Sequence, residues 1–249
     1  MPYALSEWLN LALRWLHIFV GILWIGQTWF FMWLDARLHM ASERGQVWMV
    51  HSGGFYVVER KAAPDFGRAL HWWKWEAALA WLSGMGLLAL VYWGGGAMAG
   101  ASVGVDAAVG IGVGTLAGGW IVYDALWLSP LARAPRVAAA VCYALLVGVA
   151  FFLARVMPGR AAYMHVGAML GTIMVLNVWV RIIPAQRRMV EAAKAGGVPD
   201  PLLGERAKDR SKHNTFMVLP VVFVMISNHF PVATYGHEHN WAVLGALVL

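Results

Sequence analysis

Six stretches of this chain are apolar and long enough, or nearly long enough, to cross a bilayer: about Leu9–Leu34, Ala77–Trp93, Ala107–Leu128, Val137–Ala154, Ala161–Val180 and Thr215–Ser227. In hydrocarbon a backbone can bond only to itself, so such stretches must become helices that close their own hydrogen bonds. Composition agrees: 60% of the 249 residues are hydrophobic, 13% are charged and fifteen are tryptophan. Few soluble domains could hide that much apolar surface. The expected fold class is all-α, one polytopic transmembrane helix bundle over 1–249, with six complete spans and the start of a seventh at Trp241. The stretch from Trp241 to Leu249 rises only about 13 Å as helix, too little to cross, so the natural protein is expected to continue.

The segment ends, assigned alternately to two faces, put sixteen of the nineteen Lys and Arg residues on one side, among them Arg37, Arg44, Arg60, Lys61, Arg133, Arg136, Arg181, Arg206 and Lys208. The other side holds Arg14, Arg155 and Arg160. By the positive-inside rule the basic loops are cytoplasmic and the N-terminus is outside. The net charge of +6 therefore reports topology and anionic headgroups, not nucleic acid. The N-terminus lacks the charged n-region and cleavage site of a signal peptide, so the first apolar segment is expected to stay as a helix. A single cysteine, Cys142, rules out a disulfide framework, and without Cys-x-x-Cys-His no c-type haem attaches covalently to these residues.

Two loops on the basic side are long. In 37–75, two short alternating runs flank Ser52-Gly53-Gly54 and read as a β-hairpin. The other, 184–212, opens with a basic helix, turns at Gly196-Gly197-Val198-Pro199 and re-enters through a charged stretch. Gly110, Gly112, Gly114, Gly118 and Gly119 in the third span permit close helix contact. No strand precedes them, so they do not form a phosphate-cradling loop.

The histidines fall in two layers. His17, His165 and His229 lie toward the outer side; His71 and His213 open helices 2 and 6 from the inner side. His213 and His229 bracket an apolar run containing Pro220, sixteen residues apart, which is about 24 Å of helix, and the proline predicts a kink there. Neutral imidazoles on different helices at matched depth are what a bis-histidine haem b needs, and two such haems would form a wire across the bilayer. His17 and His165 are the outer candidates as iron ligands, His71 and His213 the inner ones. Arg14, His17, Gly21 and Trp24 share one helix face; Gly21 would leave room for a macrocycle and Arg14 could pair with a propionate. The plainer alternative is that His17 bonds a neighbouring helix and Gly21 packs against one. Asp124 reads as a proton-relay acid or an interfacial charge, and Gln27 and Asn177 lie deep enough to satisfy one another or a ligand. His237, Glu238 and His239 resemble a metal clip, but side chains two apart point to opposite sides of a helix, so the segment reads as a solvated loop.

Long strings carry a likeness: LRWLHIFVGILWIGQTWFFMWLDARL, MVHSGGFYVVERK with HWWKWEAALAWLSGMGLLALVYW, and RSKHNTFMVLPVVFVMISNHFP with YGHEHNW. They resemble the membrane-bound bacterial urate oxidases, or urate hydroxylases, along essentially the whole chain. The resemblance implies an N-terminal bundle of about eight transmembrane helices in the inner membrane, followed by a periplasmic cytochrome c domain that carries the haem c. It implies oxidation of urate to 5-hydroxyisourate, with electrons passed through haem to cytochrome c and not to dioxygen. Such a reaction needs a base for a urate N–H proton, planar donors to clamp the anion and a nearby electron acceptor. Arg14 and Gln27 of helix 1, or Arg60 and His51 of the hairpin, are the candidates for the clamp. Two other readings stay open: a transporter or channel lined by the polar intramembrane residues, and a non-catalytic haem-bearing anchor for a cytochrome.

Overall fold

The computed structural model of the protein describes residues 3–40, 45–61 and 65–248; Arg44, counted above with the basic loops, lies outside them. The long first helix, α1, spans Tyr3–Met40 and overruns its apolar stretch at both ends. Arg37 and His39 sit in its last turn, where cations complement the helix dipole. The expected hairpin follows as antiparallel β1 (Gln46–His51) and β2 (Gly54–Glu59). Its two-residue turn needs positive φ twice, met by Ser52 at 49° and Gly53 at 76°.

Helix α2 (Trp75–Leu87) continues as a π-helical segment over Leu88–Trp93. Helix α3 is Val105–Leu128 and α4 is Pro135–Val156. Helix α5 (Gly159–Leu176) passes through a second π segment, Asn177–Ile182, into α6 (Ile183–Lys194). Helix α7 is Pro201–Ser227, and the short α8, Asn240–Leu247, matches the expected seventh segment. Among the described residues five helical stretches are long and apolar enough to cross a membrane: Tyr3–His39, Trp75–Trp93, Val105–Leu128, Pro135–Val156 and Gly159–Lys194.

Three expectations need correction. The sixth span, Thr215–Ser227, is only the apolar half of α7, whose first half carries charges from Glu205 to Lys212. The stretch 184–212 is helix, turn, helix and not loop: Asp200 caps α7 by accepting from the Leu202 amide at 2.9 Å, with Pro201 behind it. His213 thus lies well inside α7, and His71 precedes α2 by four residues. Pro220 sits inside α7 without ending it.

Helix α5 is the axis of the bundle. It is the most enclosed of the five and packs against α2, α3, α4 and α7, whereas α1 lies outermost along α2. Lipid tails are as apolar as leucine, so helices in a membrane associate through close packing and polar bonds and not through hydrophobic burial. Of the five glycines in α3, Gly112 and Gly119 face α5 closely: a Cβ added to Gly112 would lie 2.6 Å from the His165 ring, and one on Gly119 2.5 Å from Met169. Gly110, Gly114 and Gly118 face open space.

Candidate functional site

The densest polar cluster joins α3, the second π segment and α7. Asp124 accepts from Arg181 Nε at 2.9 Å and Arg210 Nη2 at 3.0 Å, and Arg181 Nη2 closes a second bond to its other oxygen. Asp124 and Arg210 are buried, so the carboxylate is structural and not the simple interfacial charge its sequence position suggested. Two cations against one anion leave the triad with a net positive charge. Arg210 also lies over the Tyr123 ring, its Cζ 4.9 Å from the centroid.

Tyr123 begins a second chain of bonds. Its hydroxyl accepts from Asn177 Nδ2 at 3.0 Å and lies 2.8 Å from His213 Nδ1. The contact has two forms according to the imidazole tautomer: the Tyr123 O–H donates to a bare Nδ1, or Nδ1–H donates to the hydroxyl oxygen. Asn177 Nδ2 also donates to Asn214 Oδ1 at 2.9 Å, and Asn214 Nδ2 donates to the Met174 carbonyl at 2.9 Å. Trp127 lies against the His213 ring with centroids 4.1 Å apart. Asn177 Oδ1 and Arg210 Nη1 are buried without a hydrogen-bond partner among the described residues. Unmatched groups of this kind are costly in a core unless a ligand or water takes them. Of the two expectations for Asn177 and Gln27, to satisfy one another or a ligand, the first is not what the structure shows; Gln27 Oε1 is buried with no partner among the described residues.

The histidines expected to hold iron have different surroundings. His165 is fully buried; its Nδ1–H donates to the Ala161 carbonyl at 2.8 Å and its Nε2 accepts from Trp93 Nε1 at 3.1 Å. With α3 against the ring at Gly112, His165 offers an iron neither a nitrogen nor room for a macrocycle. His17 Nδ1 bonds the Ala80 carbonyl at 2.9 Å, near Ser83 Oγ at 3.1 Å. The plainer alternative therefore holds for His17, which does bond a neighbouring helix, but its Nε2 has no partner among the described bonds. Gly21, one turn further on, has no packing contact within 4 Å of a would-be Cβ. A carbonyl holding one ring nitrogen while the other stays free is the usual posture of a metal-bound histidine. The His17 ring itself lies against α2, 3.0 Å from a would-be Cβ at Gly84, as the His165 ring lies against α3 at Gly112. His71 is exposed, edge-on to Trp73 at 4.4 Å, and His229 is exposed in the turn after α7. In the terminal turn the His239 amide donates to His237 Nδ1 at 3.0 Å.

The clamp candidates are dispersed. Arg14 is exposed and bonds Asn10 at 2.6 Å. Arg60 pairs with Asp35 at 3.5 Å beyond the open end of the hairpin, while His51 sits at the turn end. Five rungs of ladder, about 17 Å, separate those ends. The residues brought together instead were legible only as spacings. Asn177 and Arg181 are i, i+4, and Arg210 shares a face with His213 and Asn214, but the arginines also fit a cytoplasmic charge count.

A multi-pass membrane bundle with a buried ionic and tyrosine–histidine cluster is the class that this fold and site define. A family model described as the urate oxidase N-terminal domain matches residues 3–249. The chain belongs to that family. No curated protein and no solved structure matches it.

Proposed function

We propose that this chain is the membrane module of a urate-oxidising enzyme of the bacterial inner membrane, with its N-terminus periplasmic. The reaction adds the oxygen of water at C5 of urate and removes two electrons and two protons, giving 5-hydroxyisourate. Two ferricytochrome c centres take one electron each. The observation that carries this reading is the family match over residues 3–249, and the buried cationic cluster gives it a physical basis.

The net positive charge of Asp124, Arg181 and Arg210 attracts the urate anion. Tyr123 can relay a urate N–H proton: its hydroxyl passes its own proton to His213 Nδ1 as the oxygen takes the proton from urate, beside the Arg210 guanidinium. Asn177 and Asn214 hold the tyrosine oxygen in line. Haem b, bound through His17, would supply a one-electron acceptor; the part of this chain is to fix the imidazole through Ala80 and leave Nε2 free.

The test gives membranes carrying the protein urate and ferricytochrome c under argon. The expected result is two ferricytochromes reduced per urate, with a Tyr123→Phe variant slowed about 100-fold. A b-type band in the reduced-minus-oxidised spectrum should vanish in His17→Ala and survive in His165→Ala. Wild-type membranes that reduce no cytochrome in response to urate would end the proposal; a band unchanged in His17→Ala would remove only the haem assignment.

A further inference from the structure

Cross-strand register sorts the hairpin into two faces. Trp48 pairs with Val57 and Val50 with Phe55, so these four side chains stand together on one face. The other face holds Val47, Met49 and Val58, all half-buried, and β1 packs against α1. The first face is open: Trp48 is 71% exposed, Val50 70%, Phe55 82% and Val57 49%. A two-stranded hairpin is marginal in water and needs a surface to pack on. Four large apolar side chains on its open face make that need greater.

From this face we infer that the hairpin docks on the anionic lipid surface of the bilayer that the helices cross, with Trp48, Val50, Phe55 and Val57 among the headgroups and upper acyl chains. Tethering holds it there. Its open end is fixed at the edge of the first span, where Arg60 reaches Asp35, the residue after the apolar stretch, at 3.5 Å. Six residues of strand cover only about 20 Å, so the turn lies no farther than that from the same level. Charge fits the lipid. The side to which the hairpin belongs holds sixteen Lys and Arg against ten Asp and Glu, and the other side three against three, so the whole net charge of +6 lies on the hairpin's side. Basic segments beside a bilayer are drawn to anionic headgroups, and tryptophan favours the interface itself. An uncharged apolar face flanked by cations is how a peripheral segment holds a membrane surface. Size points away from a protein partner, because a stable interface takes about 20–30 residues a side. The inference rests on the chain lying in a bilayer and is independent of urate chemistry.

The test puts the photo-crosslinking residue p-benzoylphenylalanine in place of Phe55 on the open face or, as a control, Tyr56 on the other, in the full protein in its native membranes. After illumination, mass spectrometry identifies what each position has captured. Position 55 should yield phospholipid adducts, about fivefold more than position 56. The same replacement at Trp48 should behave as at 55, which keeps the test open where one variant fails to fold. In nanodiscs, adducts at 55 should fall about threefold when phosphatidylcholine replaces phosphatidylglycerol. Capture of peptide in place of lipid at both 48 and 55 would mean that a second copy, or another segment of the chain, covers the face, and would overturn the inference. Equal lipid adducts at 55 and 56, or equal yields in the two lipids, would overturn it as well.

Discussion

Asp124 is the residue on which the site turns, because its one carboxylate bridges two arginines inside the bundle. Removing one partner of a buried ionic group strands the others, at a cost of about 3–5 kcal/mol. Asp124→Ala should therefore lower the melting temperature in detergent by about 10 °C, and Arg181→Gln combined with it should recover part of the loss. A shift under about 2 °C would mean that water or lipid already serves those guanidiniums. At this scale the sequence was half legible. Asp124 and Asn177 stand out as polar residues in apolar runs, but nothing in the string says that Asn177 meets Tyr123 and Asn214 and not Gln27. Pairing between helices depends on rotation about each axis, which composition does not record.

Among the elements, α3 and α5 show how contacts are made where hydrophobic burial gives little drive. Gly112 lies against His165, which is fixed from both nitrogens and cannot give way. Gly112→Ala should destabilise the bundle by about 1–3 kcal/mol. Gly114→Ala, which meets nothing within 4 Å, should be neutral or stabilising by up to about 1 kcal/mol through helix propensity. Thermal denaturation of the two single variants decides this, and equal shifts would dissolve the distinction. The hairpin was legible because alternating apolar residues and a Ser-Gly turn are local signals. The early start of α7 was legible too, in Asp200-Pro201, but its run of charges looked like loop. Matched depth is necessary for two histidines to share a ring, but depth does not record rotation: α5 turns His165 toward Trp93 and Gly112.

For the whole molecule, one carboxylate ties distant parts of the basic side together. Asp35 at the end of α1 receives Arg60 from beyond the hairpin at 3.5 Å and Lys208 from α7 at 2.6 Å. The proposed orientation, basic loops in the cytoplasm, expects Arg60 and Lys61 to be shielded from trypsin added to spheroplasts and cut in inverted vesicles. Cleavage there in intact spheroplasts would reverse the orientation. The helical, membrane-spanning character was the most legible feature: five of the six apolar stretches are long apolar helices, while the sixth is the apolar half of α7.

The π segment at Asn177–Ile182 has a consequence for how this chain can change over time. Each such turn holds one residue more than an α-helical turn closes over. Dropping a single residue there would close an ordinary α-helical turn and leave α6 in phase, because the extra residue is what the wide turn absorbs. Adding or dropping one in the regular helix before it would instead rotate everything beyond by about 100° about the axis and carry Arg181 away from Asp124. The wide turn is thus the place where this helix can lose a residue and keep α6 against α7.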